Sequence, residues 1–233
     1  MIKNILLSII VILALSSFFA CASTEKSPVS IGATNGVWNA QKLLIASKDS
    51  AFFSMETKDR SAAKKSALLG VEHAERCLMS DPENAGCYYW RAINTGLYYQ
   101  LHIVGYQNGI RRMISDCDRV IKIEPEYDHG GAYRVLGQLY TKLPQTGVRP
   151  DSITRDLDLA ENYLRQAIRL APTYPENHLA LADTLFEKGN FKEAADEIAE
   201  ARNSVPHWKS DASYQNWGSE IIGMEKKIAR TTK

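Results

Sequence analysis

Small and apolar positions in the second half of the chain recur with a period of 34 residues. Ala194, Ala201 and Pro206 each lie 34 positions after Ala160, Ala167 and Pro172. Around them the apolar residues follow helical spacing: His178, Leu181, Ala182 and Leu185, then Ala194, Ile198 and Ala201. The pattern predicts two antiparallel helices per unit, broken at Gly189 and stopped by a proline that lacks an N–H and clashes with the preceding turn. Such a unit cannot bury its apolar face alone and must stack on neighbours. Strand signals are nearly absent, so the expected class is all-α.

The types that fill these slots resemble the tetratricopeptide repeat. Tyr133, Leu136, Gly137 and Tyr140 fill the first-helix slots of the earlier copy, and Ala160, Leu164, Ala167 and Pro172 its second-helix slots. Gly137 and Ala160 are small where two helices must approach closely. The resemblance implies a solenoid of stacked helical hairpins. One departure stands out: 20 residues separate Tyr140 from Ala160, against 9 from Leu185 to Ala194. Two prolines and a glycine between Leu143 and Asp151 make the insertion a loop. Insertions in repeat proteins map to one face, often a binding face.

Upstream the pattern is looser. Helices are expected from near Trp38 through Phe53 and from about Asp59 to Met79, ending at Asp81-Pro82. The next runs from Cys87 through Tyr99, and its partner from about Asn108 to Ile123, ending at Glu124-Pro125. Pro82 to Pro125 spans 43 residues, so this unit holds extra residues, expected in the loop around Gly105 to Gly109. A last helix from about Asp211 to Ala229 caps the solenoid, as such arrays require for solubility. The helical domain is expected over residues 33–230.

The chain begins differently. Lys3 precedes an apolar run from Ile5 to Leu15, and Cys21 follows Ala20. A basic residue, a short apolar segment and a small residue describe an export signal over residues 1–20, too short and wrongly flanked for a stable membrane span. Its end resembles a bacterial lipoprotein signal, although Phe18 and Phe19 depart from the usual types there. That resemblance implies lipid on Cys21, a tether over residues 21–32, and, because Ala22 is not acidic, sorting to the outer membrane with the domain facing the periplasm. Acyl chains would anchor the protein lastingly, at about 0.8 kcal/mol per buried CH₂.

Charge narrows the partners. The chain has 28 basic and 27 acidic side chains. Loss of Lys3 with the signal would leave them balanced. No basic stripe appears, so nucleic acid is not an expected partner. No metal-binding or nucleophile motif occurs, so neither an enzyme nor a cofactor is expected. Cys77, Cys87 and Cys117 fit no metal spacing. Cys77 and Cys117 occupy packing slots. In an oxidising compartment Cys77 and Cys87 could instead pair, leaving one thiol over.

Candidate binding residues cluster at the departures from the repeat. The Tyr88–His102 segment is rich in aromatics, and Arg91, Asn94 and Tyr98 share one helical face beside Trp90. It reads either as packing between hairpins or as the lining of a small-ligand pocket. Asp128 is placed to cap the next helix, with Gly130 and Gly131 offering backbone N–H groups as a secondary anion seat. Arg134 and Gln138, with Leu179, Asp183 and Phe186, occupy slots that face the concave surface in the resembled repeat. Arg91, Arg134 and Arg155 together form the expected carboxylate-binding group.

The Tyr89-Trp90-Arg91-Ala92 run and the Gly130–Gly137 run also make residues 33 to 230 similar to the T-component family of tripartite ATP-independent periplasmic (TRAP) transporters. That resemblance implies an all-helical lipoprotein with an apolar channel and a periplasmic solute-binding subunit as partner. The expected function is binding of a solute or of that subunit. The alternative is a scaffold lipoprotein for outer-membrane or pilus assembly, with peptides docked in the groove. Solenoid edges leave room for a homo-oligomer.

Overall fold

The computed structural model describes residues 39–231. The signal segment, Cys21, the tether and Trp38 lie outside them. Every regular element among the described residues is helical. Four hairpins follow in order: α1 (Ala40–Glu56) with α2 (Arg60–Ser80), α3 (Ala85–Leu101) with α4 (Tyr106–Ile123), α5 (Tyr127–Lys142) with α6 (Leu157–Leu170), and α7 (Pro175–Lys188) with α8 (Phe191–Ser204). A 3₁₀ turn over Val205–Trp208 then leads to the capping helix α9 (Tyr214–Thr231). Each first helix packs beside the next, so α1, α3, α5, α7 and α9 form one row.

Local chemistry sets the boundaries. Asn39, Asp59, Asn84 and Asp156 accept backbone N–H bonds at the starts of α1, α2, α3 and α6, satisfying donors that the helix itself leaves open. Three X-Pro turns end the second helices in one repeated geometry. Asn84, Tyr127 and Tyr174 donate their N–H to the carbonyls of Asp81, Glu124 and Ala171, at 3.3, 3.0 and 3.1 Å. Gly189 takes the left-handed conformation (φ 84°) that closes α7 and reverses the chain into α8.

The stretched second unit differs from expectation. Its extra residues sit mainly in the helices: α3 has 17 residues and α4 has 18, against 14 each in α7 and α8. Gly105, at φ 75°, makes the sharp turn, so Asn108 and Gly109 already belong to α4. Gly109 is small because the Tyr99 ring lies against it; a Cβ there would come within 2.2 Å of that ring. The insertion between α5 and α6 is a loop, as expected. It is pinned to α4 by a two-way bond between the Gln107 amide and the Ile153 backbone, at 3.0 and 2.9 Å.

Two large apolar clusters form most of the core, with a small third around Leu43, Cys77 and Cys87. One joins Ala51, Ala67, Tyr89, Trp90, Leu97, Val120 and Leu136 across α1 to α5. The other joins Leu164, Leu181, Leu185, Ile198, Trp217 and Ile221 across α6 to α9. They meet where Gly137 faces Leu164, whose side chain would lie 2.4 Å from a Cβ at that position. Cys77 and Cys87 form a disulfide between α2 and α3, with Cα atoms 6.2 Å apart. The packing role expected for Cys77 thus gives way to the pairing reading, while Cys117 is a buried free thiol.

Candidate binding face

The aromatic helix α3 is spent on packing. Trp90 is 8 % exposed. Its ring meets Phe52 of α1 and Tyr89, at 5.6 and 5.3 Å between centroids, and its N–H reaches the Tyr127 hydroxyl at 3.3 Å. Lys48 lies over the same indole at 5.5 Å. Asn94 is fully buried and donates to the Ser47 and Trp90 carbonyls at 3.0 and 2.8 Å. It stands over Gly70 of α2, where a Cβ would come within 2.2 Å of its side-chain oxygen. Tyr98 meets Tyr99 edge-on and His102 at a tilt, each 5.1 Å between ring centroids. Trp90 and Asn94 thus pack between hairpins, while the ring contacts of Tyr98 stay within the end of α3.

The three arginines expected to converge on one carboxylate do not. Arg91 holds Asp116 of α4 through two bonds, at 2.9 and 2.5 Å. Arg155 pairs with Glu187 of α7 at 3.4 Å. Arg134 is 3 % exposed. Its guanidinium donates to Asp128 at 2.6 Å, to the Asn177 amide oxygen at 2.9 Å and to the Tyr89 hydroxyl at 3.3 Å. It also lies 3.6 Å from Glu176 and 5.1 Å from the centre of the Tyr174 ring. Each arginine serves its own internal carboxylate, so the expected shared group is not formed.

Asp128 is not an N-cap. Asp128, His129 and Gly130 run consecutively through left-handed backbone, at φ 50°, 59° and 75°. For residues with a Cβ this costs about 1–2 kcal/mol each. The turn aims the Asp128 carboxylate at Arg134 and Tyr89, whose O–H donates to it at 2.5 Å. It also presents the His129 carbonyl to the Asn177 amide at 3.0 Å. Of the two backbone donors expected to seat an anion, the Gly130 N–H already bonds the Glu126 carbonyl at 3.3 Å. Burial, then the Asp128 carboxylate, push the Tyr89 phenol well above its usual pKa, so it stays a donor. Burial opposes the charge on Arg134, but Glu176, Tyr89 and Asp128 outweigh it and raise its pKa.

These contacts form a continuous ribbon across the row of first helices. It passes from Lys48 and Phe52 on α1 to Tyr89 and Trp90 on α3, then Asp128 and Arg134 on α5, and Asn177 on α7 with Tyr174 just before that helix. Tyr174 continues it to Trp208 and Trp217, at 5.0 and 5.6 Å. Nearer the other end of α7, Asp183 bonds Lys142 of α5 and Lys227 of α9. Lys227 also lies 4.0 Å above the Phe186 ring. Of the concave candidates, Leu179 and Asp183 are buried at 7 % and 8 %, and Gln138 is exposed. Asn177, Asp128 and Lys227 are the members of this face that sequence reasoning missed or misassigned. An Asn two residues into a Pro-started helix was the available signal for the first.

A second buried polar contact fixes the last hairpin. His178 is 6 % exposed, with one ring nitrogen 2.7 Å from Glu197 of α8 and the other 2.8 Å from the Pro172 carbonyl. Both neighbours are acceptors, so the doubly protonated ring satisfies both. Burial lowers its pKa, but the bonds to Glu197 and Pro172 prevail and the net shift is upward.

Two clefts lie elsewhere. One of about 380 Å³ lies between α8 and α9 beside Ile198, Arg202, Glu225 and Ile228. Another of about 130 Å³ lies between the end of α1 and the end of α3. None of the aromatic or arginine candidates lines either. Among the described residues no group of three His, Cys, Asp or Glu side chains could hold a metal ion. No helix there is long and apolar enough to cross a membrane.

Comparison with known proteins agrees with the repeat. Residues 154–216 match the tetratricopeptide repeat family model. No curated protein matches the chain significantly. Among solved structures, a thermophilic TPR protein from Thermus thermophilus superposes with a TM-score of 0.52 at 17 % identity, over 79 % of this chain and 100 % of that one. At that identity the likeness speaks to fold. The chain thus has the fold of a tetratricopeptide-type solenoid, four stacked hairpins and a capping helix, within which residues 154–216 match the tetratricopeptide repeat model.

Proposed function

We propose that the chain is a non-enzymatic, periplasm-facing lipoprotein that docks a protein partner on the row of its first helices. The observation that carries this reading is the row of four first helices and the capping helix α9, held together by the largely buried ribbon from Lys48 to Trp217 and carrying exposed Gln138. Solenoids present such extended faces to other proteins. Because Arg91, Arg134 and Arg155 are each held by an internal carboxylate, a protein partner fits this face better than a small anionic solute. The Cys77–Cys87 disulfide supports the export reading, since such bonds persist in oxidising compartments.

Within this reading, the likeness of the Tyr89–Ala92 and Gly130–Gly137 runs to the TRAP T-component makes a periplasmic solute-binding subunit the partner we propose. Docking of assembly factors is the alternative. Affinity capture of the lipidated protein from crosslinked envelopes, followed by mass spectrometry, separates the two. Recovery of a solute-binding subunit, reduced by Gln138→Arg, supports the first. Recovery of assembly factors alone replaces it with the second, and recovery of neither removes both.

A further inference from the structure

Large exposed apolar side chains are unevenly distributed. Eight occur among the described residues, and four of them are Met55, Ile103, Val104 and Val148. Met55 is in the last turn of α1, Ile103 and Val104 form the α3–α4 turn, and Val148 tips the inserted loop. Ile103, Val104 and Val148 belong to connections within hairpins and Met55 directly precedes one; such connections lie along one edge of the solenoid. The other four are scattered: Ile45, Leu68 and Met79 on the first hairpin and Ile222 on α9.

The three connections are contiguous. Met55 shares the smaller cleft with Leu97 and Leu101 of α3. Three residues past Val104, Gln107 grips Ile153 of the inserted loop, and Arg111 holds Asp151 at 3.1 Å. Val104 is 72 % exposed and Val148 is 93 % exposed, so these side chains project outward rather than line a groove. Tyr98, Tyr99 and His102, which precede Ile103 and Val104 in the chain, form a ring cluster at the same end of α3. Apolar tips beside amphipathic rings suit the boundary between headgroups and acyl chains. Charge is compatible: Arg111 and Arg149 share the single carboxylate of Asp151, at 3.1 and 3.3 Å, leaving one positive charge in excess.

We propose that this edge, formed by Met55, Ile103, Val104 and Val148, rests on a phospholipid surface and sets the orientation of the domain on its membrane. The choice of a lipid partner rests on the lipid-anchor reading of Cys21. That anchor would hold the domain within reach of a bilayer, where weak insertion of a few side chains is enough to orient it. Projecting tips on separate loops fit a deformable surface, whereas a protein partner would call for a complementary pocket. The first-helix row would then stand away from the bilayer, open to a partner.

The test uses the mature chain from residue 21 with Cys21→Ser, which removes the anchor and keeps every described residue. It is sedimented with phosphatidylethanolamine/phosphatidylglycerol vesicles. The unlipidated chain should bind them. Ile103→Ser/Val104→Ser/Val148→Ser should weaken binding about tenfold or more, with its helical circular dichroism unchanged. Met79→Ser/Ile222→Ser, which removes exposed apolar groups elsewhere, should bind like the parent. No vesicle binding by the parent, or equal binding by the triple variant, would overturn the proposal. So would loss of a protein crosslink in the triple variant without loss of vesicle binding, which assigns the edge to a protein. Labelling of Cys21 with radioactive palmitate in cells tests the anchor separately.

Discussion

Arg134 on α5 donates to the amide oxygen of Asn177 on α7 at 2.9 Å, and the same Asn177 donates to the His129 and Ala167 carbonyls at 3.0 and 3.1 Å. One asparagine thus joins three elements to a buried arginine. The contact is a rivet between the third and fourth hairpins.

Removing Arg134 should therefore be costly to the fold. Arg134→Ala leaves Asp128 and part of Glu176 without their cation and Asn177 without its donor. Loss of one partner from a buried pair costs about 3–5 kcal/mol. Urea unfolding should show a loss of that order. A change below about 1 kcal/mol, on the scale of an exposed pair, would show that the network does not bear on stability. A binding defect in Arg134→Ala would consequently report folding as much as recognition, which makes exposed Gln138 the better probe of docking.

His178 should make stability depend on pH. Its folded pKa is raised above an unfolded value of about 6.5. The stabilisation is fully present below the unfolded value and is lost as pH rises through the folded one. Glu197 bonds the ring and Glu200 adds to its field, both from α8. The urea midpoint should fall from mildly acid to mildly alkaline pH, and His178→Gln should flatten that fall. An equal fall in both proteins would assign it to other groups.

Gly70 and Asn94 should behave as a pair. A Cβ on Gly70 would come within 2.2 Å of the Asn94 oxygen, so Gly70→Ala should destabilise by about 1–3 kcal/mol through overpacking. In the Asn94→Ala background the same change should cost less. A double-mutant cycle with no coupling would place the strain elsewhere.

The disulfide should be measurable by thiol counting. In denaturant without reductant, alkylation of the helical domain should modify Cys117 alone. Cys77→Ala/Cys87→Ala should lower stability by about 2–3 kcal/mol, the closure term for so short a loop. Three modified thiols in protein recovered from the envelope would contradict the oxidised state.

The parts legible in the sequence were those fixed by local periodicity. The phase linking Ala160 to Ala194 and Pro172 to Pro206 located α6 to α8, and the small residue at Gly137 announced a close helix approach there, which the structure makes with Leu164. The insertion after Leu143 followed from its prolines and glycine. The arginine partners were not legible. Arg134 meets Asn177 across 43 positions and Tyr89 across 45, and periodicity says which face a residue occupies without saying what lies opposite. Asp128 misled for a related reason. An Asp ahead of a helix ordinarily caps it, but here the left-handed run Asp128–Gly130 turns its carboxylate toward Arg134.

Site-specific photo-crosslinking in the envelope tests the central claim most directly. A photoreactive residue placed at Gln138, exposed on the first-helix row, is compared with one at Lys192, exposed on second helix α8. The account predicts a discrete adduct with one envelope protein at Gln138, identified by mass spectrometry, and none of it at Lys192. The same adduct at Lys192, or no protein adduct at Gln138, would contradict docking on the row of first helices.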